Sequence, residues 1–183
     1  KEITIEGDNL KAIASLWGTN PNNVYAVGGG GQILHWDGNQ LTKMTSGTSK
    51  LLRDVWGSGP NDIFAVGDEG RILHYEGTNW KLMKSGTTKT LNGVWGTGPN
   101  NVYAVGDNGI MIHYDGNSWN EIDSGTIQYL KEVFGFSANN IYATGSLGEV
   151  VHYDGSGWSS IHDHKILGQP PTEDGSYFSY NYF

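Results

Sequence analysis

Short apolar runs, each ended by Gly, Asn or Asp, recur along the whole chain, as in LNGVWG, NVYAVG, IMIHYDG and SWNEIDS between residues 91 and 124. Nowhere does a 3.6-residue period last for the roughly 10–12 residues that a helix requires. Such runs read as short β-strands separated by turns, because Gly and Asn accept the positive φ that tight turns need. In this stretch Asp107-Asn108-Gly109 and Asp115-Gly116-Asn117 mark two hairpins.

The pattern repeats. Trp17, Trp56, Trp95 and Phe134 are spaced 39 residues apart; His35, His74, His113 and His152 keep the same interval, as do Tyr25, Phe64, Tyr103 and Tyr142. Four units, 12–50, 51–89, 90–128 and 129–167, follow one another without insertion, with 1–11 before them and 168–183 after. Four antiparallel strands in about forty residues, repeated in tandem, are the pattern of β-propeller blades. Blades pack through both faces, which accounts for near-continuous apolar runs such as VYAV where simple alternation would be expected. A β-helix has shorter rungs, and a sandwich has no reason to repeat. The expected fold is all-β: a β-propeller with four 39-residue four-stranded blades plus terminal strands of an incomplete further blade.

The ends carry that incomplete blade. KEITIEG, within 1–11, reads as the outer strand of a blade whose first three strands are not upstream, and the tail 168–183 is too short to supply them. Three arrangements remain open: a piece of a longer propeller, a ring closed by four blades with or without a two-stranded stub, or strands supplied by another molecule. In the last, SYFSYNYF is the assembly strand, with Phe178, Tyr180 and Tyr182 on one face and Tyr177 and Phe183 on the other. The plainer alternatives are a tail that covers the last blade's edge in its own chain, or a disordered one.

Composition narrows the functional classes. The chain of 183 residues holds 28 Gly, 7 Trp, 10 Tyr and 5 Phe, too many aromatics for a disordered segment. A net charge of −8 argues against nucleic acid, which needs clustered Lys and Arg. No apolar stretch approaches the length of a membrane span. The absence of Cys excludes disulfides, thiol catalysis and Cys-ligated zinc.

The units resemble the "VWG-x-x-PNDVYAVG-x-x-G-x-ILHYDG-x-x-W" repeats of bacterial secreted and surface proteins, and more distantly kelch repeats. That resemblance covers 156 of the 183 residues. It implies the propeller fold and an extracellular or cell-surface setting in a prokaryote. It is nearly silent on function, since propellers host lectins, hydrolases, lyases and scaffolds. The period is shorter than that of kelch and the Trp-Asp dipeptide is missing, so no binding role carries over.

Candidate chemistry is weighed against structure. Four repeated imidazoles suggest a metal, but a residue present in every blade serves what every blade needs, so the His set reads as structural. Asp37, Glu76, Asp115 and Asp154 precede Gly and are expected to cap hairpins. Trp17, Trp56, Trp95 and Phe134 are expected to form the inter-blade packing layer. Trp80, Trp119 and Trp158 open the fourth strand, with Leu41 in their place in the first unit, and are the candidate sugar-stacking platform. The fourth unit departs most from the others, with Phe134, Phe136, Ala138, Ser146-Leu147 and the run IHDHK, in which His162 and His164 are weak metal candidates.

Enzyme signatures are missing: no P-loop, no G-x-S-x-G elbow, no H-E-x-x-H, and no Asp-box spacer. A catalytic carboxylate pair would have to come from Asp8, Asp54, Asp62, Glu69, Glu132 or Glu149. No catalytic residue and no cofactor is assigned. The leading expectation is a non-catalytic extracellular scaffold for protein interaction or self-assembly, its partner itself or another protein joined through terminal strands. A glycan-binding lectin and a glycoside hydrolase or lyase are the alternatives.

Overall fold

The computed structural model describes residues 10–161. Sixteen strands form four antiparallel sheets among these residues, each in simple meander order. Blade 1 holds β1 (Ile13–Asn20), β2 (Asn23–Gly28), β3 (Ile33–Trp36) and β4 (Leu41–Met44). Blade 2 holds β5 (Leu52–Gly59), β6 (Asp62–Gly67), β7 (Arg71–Tyr75) and β8 (Trp80–Met83). Blade 3 holds β9 (Leu91–Gly98), β10 (Asn101–Gly106), β11 (Met111–Tyr114) and β12 (Trp119–Glu121). Blade 4 holds β13 (Leu130–Ser137), β14 (Asn140–Gly145), β15 (Val150–Tyr153) and β16 (Trp158–Ser160).

The repeated residues line up in rows across each blade. In blade 2, Trp56 pairs with Phe64 and Phe64 with His74; in blade 3, Trp95 pairs with Tyr103 and Tyr103 with His113. Paired residues lie on the same face of a sheet, so this row marks one face of every blade, here called trailing. The next row, Val55–Ala65–Leu73 in blade 2, marks the opposite, leading face.

Blades stack leading face on trailing face. Tyr25, Val27 and Ile33 of blade 1 form one core with Leu52, Val55, Ile63, Ala65 and Leu73 of blade 2. Phe64, Val66 and Ile72 of blade 2 do the same with Leu91, Val94, Val102, Ala104 and Ile112 of blade 3. Tyr103, Val105 and Met111 of blade 3 repeat it with Leu130, Val133, Ile141, Ala143 and Val151 of blade 4. A fully buried Leu of this kind stabilises by about 1.5–3 kcal/mol. The first strands pack most closely, β5 against β1 and β9, and β13 against β9. No such packing joins β13 to β1, so among the described residues the blades form an open arc and not a four-blade ring.

Glycine permits the close approach at each joint. A Cβ on Gly57 would come within 2.7 Å of the Trp17 indole, and on Gly135 within 2.5 Å of the Trp95 indole. Each Trp therefore lies over the Gly one unit and one residue ahead, in the next blade's first strand.

Candidate functional site

Four of the repeat's expected structural residues form a clasp inside each blade. His35 Nε2 donates to Asn23 Oδ1 at 2.7 Å, His74 to Asp62 at 2.6 Å, His113 to Asn101 at 2.7 Å and His152 to Asn140 at 2.9 Å. Each ring also lies against the aromatic residue beside it, with centroids 4.2–4.5 Å apart. Burial lowers the pKa of His35 and of His113, so both rings stay neutral at neutral pH. The imidazoles serve their own blades and do not converge. The Asn/Asp partner, which recurs at the start of every second strand (PNNVY, PNDIF, PNNVY, ANNIY), was the detectable signal for this clasp.

Asp37, Asp115 and Asp154 cap their hairpins, each accepting two backbone N–H bonds, as Asp115 does from Asn117 and Ser118 at 2.9 Å. Those bonds lower the pKa of Asp37 and Asp115, while the Ser156 hydroxyl and backbone bonds bring Asp154 to about 2. Glu76 departs from the expected role. Its longer side chain reaches out of the turn to Lys81, whose ammonium holds its pKa down.

The proposed sugar platform is corrected at two of its three positions. Trp80 and Trp119 are only 7 % exposed. They stand on the leading face, where the preceding blade covers them: Trp80 lies edge-on to Tyr25 at 75° and Trp119 edge-on to Phe64 at 82°. Trp158 is half-buried against Tyr153 and Tyr103. The buried indole N–H groups of Trp80 and Trp119 meet no hydrogen-bond acceptor among the described residues.

Of the possible acid pair, Asp54 and Glu132 lie near the axis of the arc, on β5 and β13. Asp54 binds three blades together. Its Oδ1 accepts from Ser15 Oγ of blade 1 at 2.7 Å and its Oδ2 from the Val94 N–H of blade 3 at 2.8 Å. Burial raises the Asp54 pKa; burial, then the Asp54 charge, raises that of Glu132. Asp62 is in the His74 clasp, Glu69 pairs with Lys50, and Glu149 is buried between Thr126 and Ser160. Asp8, His162, His164, KEITIEG and the assembly strand Tyr177, Phe178, Tyr180, Tyr182 and Phe183 lie outside the described residues.

The largest departure from the repeat lies at the two ends. Leu52, Leu91 and Leu130 are 0 % exposed, yet Ile13, in the same position of blade 1, is 44 % exposed. Val55, Val94 and Val133 are 2–4 % exposed, against 69 % for Leu16. At the other end Phe134 is 53 % exposed and Phe136 76 %. The expected role of Phe134 as an inter-blade layer is met on one side only: its ring centroid lies 5.9 Å from that of Trp95 in blade 3, but among the described residues no following blade covers it as blades 2, 3 and 4 cover Trp17, Trp56 and Trp95. Among the described residues no blade covers the leading face of blade 1, with Ile13, Leu16, Val24 and Ala26, or the trailing face of blade 4, with Phe134, Tyr142, Val150 and Ile161. Apolar faces of this kind mark interaction sites on proteins in solution.

No protein-family model matches the chain, and no curated protein matches it in sequence. Solved structures do match in fold. YCF48 from Cyanidioschyzon merolae aligns with a TM-score of 0.64 at 17% identity, over 78% of this chain and 50% of that one. The computationally designed Ika4 protein aligns at 0.67 and 19% identity, over 83% of this chain and 96% of that one. YCF48 bound to D1 peptide aligns at 0.53 and 13%, over 93% and 72% of the two chains. The fold is thus that of β-propeller blades, four in this arc. The chain spans half the length of the Cyanidioschyzon YCF48 chain.

Proposed function

We propose that the protein is a non-catalytic β-propeller scaffold that works by protein–protein contact at the uncovered faces of its end blades. The observation that carries this reading is the contrast between Leu16, 69 % exposed, and its equivalents Val55, Val94 and Val133, 2–4 % exposed. A surface whose chemistry elsewhere in the same chain is core chemistry is one that a partner covers. A protein partner is also supported by the fold neighbour YCF48, whose complex contains the D1 peptide. Terminal strands that complete a further blade would add to the same contact by edge pairing. The extracellular or cell-surface setting rests on the likeness of the repeat to those of bacterial secreted and surface proteins. Against a lectin stand the covered indoles of Trp80 and Trp119.

Oxidative footprinting of the chain in an extract of the cells that produce it tests the reading. Leu16, Phe134 and Phe136 are expected to be protected relative to Leu82 and Ile127, which are 62 % and 81 % exposed within the arc. Equal labelling of all five would remove the scaffold reading, and turnover in a glycoside and ester panel would replace it with a hydrolase.

A further inference from the structure

The two uncovered faces are the two halves of one joint. On the trailing side, Phe134, Tyr142, Val150 and Ile161 occupy the positions that Trp95, Tyr103, Met111 and Ile122 hold in the joint between blades 3 and 4. On the leading side, Ile13, Leu16, Val24 and Ala26 occupy the positions of Leu130, Val133, Ile141 and Ala143 in that same joint. Gly18 repeats the glycine over which each Trp lies. The three nearest atoms to a Cβ built there belong to its own blade, to Asn23 and Val24, whereas Gly57, Gly96 and Gly135 each meet the preceding blade's indole. The receiving place for an aromatic ring is open at Gly18, and Phe134 is the ring left over.

We propose that a second copy of this chain docks end to end, the Phe134 face of blade 4 in one copy covering the Leu16 face of blade 1 in the other. The joint would be a fourth instance of one that the chain already forms three times. The contact is heterologous, since different surfaces meet, and such contacts either close into a ring or extend without end. In a closed pair both joints form at once, and each of the four end faces meets its counterpart. The 78% of this chain that aligns covers half of the Cyanidioschyzon YCF48 chain, in keeping with an arc that is part of a larger ring. Edge pairing by terminal strands is not required for this docking, although both would act at the same ends.

This inference rests on the end faces being contact surfaces, and its test separates the two. The purified 183-residue chain is weighed by sedimentation equilibrium across micromolar dilutions. A closed pair has twice the 19.9 kDa chain mass. Leu16→Asp and Phe134→Asp each place a carboxylate in the middle of one half-joint and are expected to weaken association by about 100-fold or more, since a buried unpaired charge costs several kcal/mol. Both sites are exposed in the single arc, so unchanged circular dichroism is expected. Mixed together, the two variants are expected to recover one joint, because each keeps the half that the other has lost. A monomer at every dilution, or association that survives both charges, overturns the second copy as partner. If footprinting in extract still protects Leu16 and Phe134 while the purified chain is monomeric, the scaffold reading stands and only the self-docking falls.

Discussion

Blade 3 and the two end blades are built from the same thirty-nine residue positions, yet the same side chains are interior in one and surface in the others. Leu91 and Val94 are buried beneath Phe64, Val66 and Ile72, whereas Ile13 and Leu16, one period pair earlier, face outward. The local structure does not differ, since the strands, their register and the His clasp are reproduced in all four blades. What differs, among the described residues, is whether a neighbouring blade lies over the face. A blade's strand pattern is therefore a property of its own sequence, while its burial belongs to the stack, as in other repeat folds whose stability is a sum of units and interfaces.

The sharpest way to break this comparison is a matched truncation. Leu91→Ala removes a fully buried side chain from a filled joint and is expected to cost about 3 kcal/mol, including the cavity it leaves. Leu16→Ala, on an open face, is expected to cost less than about 0.5 kcal/mol in the isolated arc. Urea denaturation at high dilution, with folding followed by tryptophan fluorescence, checks both. Equal losses would mean that the end face is already covered within the single chain.

Much of this was legible in the residues. The period placed all four strands of every blade, the repeated aromatic and His positions and three of the four turn carboxylates, because each depends on local pairing that a single unit encodes. The end faces were not legible. Periodicity assigns Phe134 the same place as Trp95 and Leu16 the same place as Val94, and no feature of one unit says that its neighbour is absent. Trp80 and Trp119 misled for the reverse reason: a Trp at the start of an outer strand looks exposed until the preceding blade's Tyr25 or Phe64 lies over it. Asp54 was one acid among several, and its link to Ser15 and Val94 spans three blades, a relation that no local window contains.

A smaller effect separates the first blade from the last at the turn between their second and third strands. The middle turn residue takes a left-handed conformation in every blade: Gly30 at φ 64°, Glu69 at 57°, Asn108 at 55° and Leu147 at 56°. Glycine tolerates this without strain and Asn nearly so, whereas a bulky side chain is penalised by about 1–2 kcal/mol. Leu147→Gly is expected to stabilise the chain by about 1 kcal/mol, and Gly30→Leu to destabilise it by a similar amount, each read as a shift in the urea midpoint. Leu147 is 72 % exposed and so surrenders little packing when removed. A Leu147→Gly variant less stable than the parent would show that this side chain is held by a contact the isolated arc lacks, which would place it, too, in an end-face interface.

The gentlest contrast lies between the axis and the rim, and it appears as a slope with pH. At the rim, Asp37, Asp115 and Asp154 have lowered pKa values because backbone N–H groups, with the Ser156 hydroxyl first for Asp154, favour the carboxylate. Their contribution is present above the ordinary carboxylate value and is lost as pH falls through their lowered values. Asp54 behaves oppositely. Burial between blades disfavours its charge, outweighing the bonds from Ser15 and Val94, and its pKa is raised. Its protonated form is the one the fold prefers, so its contribution is full below the ordinary value of about 3.9 and is lost as pH rises through the raised one. Glu132, raised by burial and by the Asp54 charge, acts in the same sense. From pH 4 upward Asp54 and Glu132 thus add a falling contribution, while His35 and His113, whose rings burial keeps neutral, add a rising one as pH approaches the ordinary imidazole value. Asp54→Asn should remove its falling part and leave a curve that rises more with pH than the parent's, even though the amide serves Ser15 and Val94 less well and lowers stability throughout. The slope is the readout, because a loss of hydrogen bonds alone would shift the curve without changing its shape. A difference between parent and variant that is flat or rising over this window would show that the axial carboxylate is better solvated than its place among three blades implies.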